Sequence, residues 1–234
     1  MRAFSNSDLL DLWERGSALH PLDRGLLALG AAMPEVSSAT LADWTLGRRN
    51  RSLMELHCRC FGSRLQGWGA CISCGEKMEF ELDARAMAQQ NAAQCEESVM
   101  FNGQRFRLPS SRDLADVAGV MDSQQAAIRL LERCRSGEDA TLTLSDDDME
   151  RVGAQMALAD PLAEIRIALR CPACGHESTE TLDIVSFLWE EIQARAKRLL
   201  WEVHSIASAY GWTEHEVLSL STARRSHYLE MVRA

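Results

Sequence analysis

The chain has 234 residues, 46% of them hydrophobic and 25% charged, and a formal charge of -9. That composition is ordinary for a globular protein, and no stretch reaches the roughly 18 uninterrupted apolar residues that a membrane span needs. The acidic balance disfavours a sequence-independent grip on nucleic acid, which depends on Lys and Arg neutralising several phosphates. Arg48, Arg49 and Arg51, and Arg224 with Arg225, are short enough to be ordinary solvated faces. The start MRAFSNSDLLDLWERG lacks the basic residues and apolar run of an export signal, so a cytosolic setting is expected. Eight cysteines in reducing cytosol do not form a disulfide framework.

The first sixty residues read as helices. Ser7 is expected to cap a segment carrying Leu9, Leu10, Leu12 and Trp13, and Pro21 suits the first turn of the next. A further helical stretch starts near Ser38 and runs, with a break at Gly47, to the stop at Phe61-Gly62. The period then changes to two: Met78, Phe80 and Leu82 alternate with Glu79, Glu81 and Asp83, a half-buried strand. Asn102-Gly103, between Val99-Met100-Phe101 and Arg105-Phe106-Arg107, marks a tight hairpin turn.

Helical signals return with a capping box at Ser110 and Asp113, a second helix through Ala126 to Leu131 that Gly137 closes, and a third behind Ser145. The run Asp146-Asp147-Asp148 is read as helix-start charge, because an EF-hand ion loop needs ligands spread around a turn and a closing Glu. Ile165, Ile167 and Leu169 alternate as a strand into Cys171, and Thr179 to Ile184 carry the return strand. The last fifty residues are helical, with a stop at Gly211, a capping box at Thr213 and Glu216, and a cap at Ser221.

The chemistry lies in two turns, Cys71-Ile72-Ser73-Cys74-Gly75 and Cys171-Pro172-Ala173-Cys174-Gly175. A Cys-x-x-Cys turn places two thiolates on one edge of a tetrahedron, and two such turns complete the four-thiolate set of a closed structural zinc site. Each pair is followed by a glycine that lets backbone amides point at the sulfurs. An iron-sulfur cluster uses the same thiolates and is the alternative metal; a thioredoxin-like dithiol expects one pair in a βαβ setting. Here 96 residues separate Cys74 from Cys171, far more than the roughly 15 to 20 of a compact ribbon. The inserted segment must therefore fold by itself, with the metal stapling its ends.

His57, Cys58 and Cys60 form a denser group whose plainest reading is free residues at a helix end, and His176 is surplus to the tetrad. Cys95 and Cys134 stand alone as small core or surface thiols. Asp116 and Glu132 are isolated carboxylates on helices, and no nucleophile elbow, phosphate loop or His-Glu-x-x-His is present, so no enzyme is expected.

The expected fold is α+β and mainly helical: split zinc-ribbon-like β hairpins with a large inserted helical lobe and helical N- and C-terminal regions. The boundaries are 1–66 for the N-terminal helices, 67–84 with 163–186 for the split ribbon, 85–162 for the lobe with its short hairpin, and 187–234 for the C-terminal helices.

Several segments carry a resemblance: Arg48-Arg49-Asn50 to Phe61-Gly62, CISCGEKMEF from Cys71, FRLPSSRDLADV from Phe106, LDIVSFLWEEI from Leu182, and RLLWEVHSIASAYGWTEHEVLSLSTARRSHYL from Arg198. Together they resemble baseplate proteins of contractile, T-even-type phage tails and of phage-derived injection systems. The resemblance implies a structural or assembly component without enzymatic activity, whose partners are other baseplate, hub or tail proteins and not a small-molecule substrate. It implies residence in the bacterial cytoplasm during assembly, then in the tail baseplate or injection particle. Ile72 departs from the Cys-Pro-x-Cys form that Cys171-Pro172 keeps. A cytosolic zinc-ribbon adaptor binding nucleic acid or a polymerase is the alternative. Trp189, Trp201, Trp212 and Tyr228 are core or interface anchors on the terminal helices, with core expected for about two of the four.

Overall fold

In a computed structural model, which describes residues 1–90, 97–136 and 144–233, the first helix (α1, Asn6–Gly16) is capped by Ser5 and not by Ser7. Asp8 decides this. Three residues after Ser5, its carboxylate accepts the Ser5 amide at 2.7 Å while the Ser5 hydroxyl accepts the Asp8 amide at 3.1 Å; the residue three after Ser7 is Leu10, which cannot reciprocate. Pro21 opens α2 (Pro21–Ala32) as its sequence position requires.

The expected break at Gly47 falls instead at Trp44 and Thr45, between α3 (Ser38–Asp43) and α4 (Leu46–Cys60), where Thr45 caps α4. Gly47 has another use. Its amide donates to Asp160 Oδ2 at 2.8 Å, and a Cβ there would lie 1.5 Å from Asp160 Oδ1. The glycine therefore marks a close approach by a remote carboxylate inside the first turn, not a helix stop.

Two antiparallel hairpins follow the same plan. In β1 (Arg64–Ala70) and β2 (Lys77–Asp83), Arg64 pairs with Asp83 and Ala70 with Lys77; a short α5 (Ala84–Gln90) follows. In β6 (Ile165–Arg170) and β7 (Glu177–Leu182), Ile165 pairs with Leu182 and Arg170 with Glu177. The hairpins are separate two-stranded sheets. Their bases, Leu65, Ile165, Ile167 and Leu182, sink into the main core.

That core is shared by both ends of the chain. α9 (Ile184–Tyr210) presents Leu188, Ile192, Ala196 and Leu199 at three-to-four spacing to α1, α2 and α4. At about 1.5 Å per residue, its 27 residues span roughly 40 Å. Gly211 stops it in the left-handed conformation, φ 71°. Its far end carries α10 (Glu214–Ser219) and α11 (Thr222–Arg233) over a small separate core of Ile206, Val217 and Leu229. Of the four aromatics, Trp189 is buried and Trp201 exposed. Trp212 and Tyr228 pack edge to face at 4.8 Å, partly buried against that small core.

The inserted segment has its own core of Phe101, Phe106, Leu108, Leu131, Val152 and Met156. It comprises β3 (Ser98–Phe101), β4 (Gln104–Arg107), α6 (Ser111–Val117), α7 (Ser123–Cys134), β5 (Arg135–Ser136) and α8 (Asp146–Ala159). Asn102 and Gly103 take φ 49° and 77°, the two positive values of the expected tight turn. α7 ends at Cys134; Gly137, expected as its stop, lies outside the described residues, as does Cys95. Ser145 caps the acidic start of α8 as read from the sequence, and the structure adds that Asp148 completes a capping box with it.

The lobe meets α4 through polar contacts. Leu46 N–H donates to the Pro109 carbonyl at 3.0 Å, Arg49 Nη1 to Ser111 Oγ at 3.1 Å, and Asn50 Nδ2 to the Leu162 carbonyl at 2.7 Å. These buried bonds satisfy groups that would otherwise lose water for nothing. They fix the lobe independently of any metal.

Asp113, fully buried, accepts from Arg107 Nη2 at 2.7 Å, Arg133 Nε at 3.1 Å and the Ser110 amide at 2.9 Å. Burial works to raise its pKa, but the bonds from Arg107 and Ser110 outweigh it and hold the carboxyl well below the usual range. With a folded value below the unfolded one of about 3.9, its stabilisation is complete above that value and is lost as pH falls through the folded value. Thermal melts between pH 6 and pH 2 should therefore fall more steeply in the wild type than in Asp113→Asn; parallel curves would contradict this role.

Candidate metal centre

The turn of each hairpin is a six-residue knuckle. In the first, Cys71 N–H donates to the Glu76 carbonyl and Gly75 N–H to the Cys71 carbonyl, both at 2.8 Å. In the second, Cys171 N–H donates to the His176 carbonyl at 2.8 Å and Gly175 N–H to the Cys171 carbonyl at 2.9 Å. Gly75 and Gly175 sit at φ 75° and 74°, where a Cβ would be strained.

The two knuckles meet at their tips. All four Sγ atoms of Cys71, Cys74, Cys171 and Cys174 lie within 4.8 Å of one another. The contacts are reciprocal: Cys71 to Cys174 at 3.7 Å, and Cys74 to Cys171 at 3.6 Å. A tetrahedron with metal-sulfur bonds of about 2.3 Å has edges of about 3.8 Å, so this arrangement matches a four-thiolate cage. Cys71 and Cys171 are buried against Met78, while Cys74 and Cys174 face outward. The four cysteines could hold a metal ion such as zinc, and with every corner a thiolate the site is closed.

The electrostatics suit a ligand role. Amides of Cys174 and Ala173 donate to the Cys171 sulfur and outweigh its desolvation, drawing its pKa down to about 7. Cys74 also receives an amide, from Glu76, but shares hydrogen bonds with Cys174 and Cys171 that push it up to about 12. Four thiols this close cannot all ionise unaided; a cation resolves that repulsion, releasing protons as it binds.

The duplication extends further than the cysteines. Leu82-Asp83 and Leu182-Asp183 stand where the two return strands give way to helix, at the same offset from their knuckles, and each aspartate caps the following helix. The Asp83 carboxylate accepts the Arg85 amide at 2.8 Å and Asp183 accepts that of Val185 at 3.0 Å. The reading of the sequence missed this pair, although the constant offset of Leu-Asp from Cys-Gly was visible.

Among the described residues, no other candidate joins the four sulfurs as a ligand, although the His176 backbone closes the second knuckle. His57 is buried, its Nδ1 lies 2.9 Å from the Gly62 carbonyl, and burial lowers its pKa, so the neutral ring closes the end of α4. Cys60 accepts the Phe4 amide at 3.4 Å, and burial raises the pKa of both Cys58 and Cys60. Cys134 is a core residue of the inserted lobe, its thiol pushed up to about 11 by burial. Asp116 pairs with Arg133.

The chain is thus α+β and mainly helical, and its four-cysteine cluster is compatible with a zinc-ribbon-like site. Comparison with protein-family models, curated proteins and solved structures finds no match.

Proposed function

We propose that the chain is a non-enzymatic structural or assembly component of the baseplate or hub of a contractile phage tail or injection system, held by one structural zinc. The tetrad carries the metal half of this reading: it joins knuckles 97 positions apart in sequence at tetrahedral distances. Zinc is preferred because it takes four thiolates without redox chemistry. The sequence resemblance set out above supports the baseplate half. A closed site with no open position for water suits a part that must hold several units in fixed relation while neighbours load them.

Protein purified without chelator should contain one zinc per chain by elemental analysis; iron and visible absorption would indicate a cluster instead. The particle role is checked by electron microscopy of tails assembled with the tagged chain, with density expected among baseplate or hub proteins. Its absence from particles and assembly intermediates, together with a salt-sensitive shift of DNA, would favour the adaptor reading.

A further inference from the structure

A groove of about 860 Å³ lies where α7 and α8 meet Leu46 of α4, Leu114 of α6 and the run from Asp160 to Arg166 that leads into β6, apart from the metal centre. On α8, Met149, Gly153 and Met156 recur every three or four residues along the groove, with Ala157 next to Met156, and Ala127 and Leu130 of α7 line the same groove. Gly153 is exposed, and a Cβ built on it meets nothing within 4 Å. Glycine is the poorest helix former after proline, so its place in mid-helix leaves space open where almost any other residue would both fill it and strengthen the helix. The space is too large for one side chain, and its apolar residues on α8 repeat at helical spacing, a surface that a helix ridge of i, i+3/i+4 and i+7 anchors can match.

The rim adds a sign. Among the described charged residues lining the groove, Arg166 is the single cation and is paired with Glu164 at 2.8 Å, while Asp160 is committed to the Gly47 amide. Asp146 and Glu150, one turn apart on α8, remain as negative charge at the α8 N-terminal end. An occupant must therefore be apolar along its length and basic at that end. A second copy is disfavoured, because two chains of charge -9 repel.

We propose that this groove docks an amphipathic helix of a partner protein, its apolar ridge seated over Gly153 and its Lys or Arg residues beside Asp146 and Glu150. The proposal does not rest on the zinc or baseplate reading. The test uses the purified full chain and a labelled synthetic helical peptide, with Leu at i, i+3, i+4 and i+7 and Lys at one flank. The control peptide carries Glu in place of Lys. In fluorescence anisotropy the Lys peptide should saturate, and the Glu peptide should bind about tenfold or more weakly. Gly153→Leu should weaken Lys-peptide binding by at least about tenfold while leaving metal content and thermal midpoint no lower than in the wild type. Glu150→Lys should reverse the preference between the peptides. Equal binding of both peptides, or binding indifferent to Gly153→Leu, would overturn the proposal. So would sedimentation showing a dimer that Gly153→Leu abolishes, which would assign the groove to a second copy.

Discussion

Removing the metal with a strong chelator, or replacing Cys171 by serine, should lower the thermal midpoint by about 8 to 16 °C. A ligand present at about 1,000 times its dissociation constant adds roughly 4 kcal/mol to folding stability, and in a chain of this size each kcal/mol moves the midpoint by about 2 to 4 °C. The loss should also be local. The two hairpins lie in separate sheets, and among the described residues the apolar cluster at their tips joins just Met78 and Leu169 to Cys71 and Cys171. Without an ion, four thiols that cannot all ionise have little to hold the tips together. The helices have their own support, since α1, α2 and α4 pack on α9 over an apolar core, and the inserted lobe is tied to α4 by Arg49, Asn50 and the Leu46 amide. Far-ultraviolet circular dichroism should therefore stay largely helical in the metal-free protein, while hydrogen exchange accelerates in β1, β2, β6 and β7. Cys134→Ser, in a different core, should leave the metal content unchanged. Unaltered melting and exchange in Cys171→Ser would remove the clamp from the account.

What the sequence made legible was local. A capping box needs only residues three apart, so the starts of α6, α8 and α10 were readable from Ser110, Ser145 and Thr213 with their partners. The repeated Cys-x-x-Cys-Gly likewise announced its own turn geometry, and the hairpins appear in register around it. The cap expected at Ser7 failed locally, to Asp8 beside Ser5, whereas the failures at Gly47, Arg49 and Arg225 share a physical origin, because each depended on a residue far away in the chain. Gly47 looked like a helix breaker because the Asp160 carboxylate that needs its space lies 113 positions on. Arg49 looked like part of a solvated basic face, yet it is buried against Asn50 and Ser111. Arg225 looked the same and is fully buried against Glu202. A charged side chain announces solvent in sequence, and only its distant partner reverses that expectation.

Replacing Arg225 alone should be among the most damaging single changes outside the cysteines. α11 has little apolar face of its own, resting mainly on Leu229 and Tyr228, so its attachment to α9 leans on Arg225. The Arg225 and Glu202 side chains are 1% and 4% exposed. Arg225 Nε donates to Glu202 Oε2 at 2.9 Å and Nη1 to the Leu220 carbonyl at 2.6 Å, which also pins the segment between α10 and α11. Arg225→Met leaves a buried carboxylate whose remaining cation, Arg198 at 3.0 Å, is itself mostly exposed. Breaking a buried pair in this way costs about 3 to 5 kcal/mol. The pair is not optimally satisfied, because Arg225 Nη2 is buried without a hydrogen-bond partner among the described residues. Replacing both charges with apolar residues of similar volume, as in Arg225→Met with Glu202→Leu, should therefore recover most of the loss. Urea unfolding of the two single variants and the double variant measures this, with hydrogen exchange in α10 and α11 reporting where the loosening occurs. If the double variant were as unstable as Arg225→Met, the cost would come from lost packing and not from the stranded charge. Arg225→Lys separates the contributions further. A lysine keeps the charge opposite Glu202 but lacks the planar fork that reaches the Leu220 carbonyl at the same time, so it should fall between the wild type and Arg225→Met.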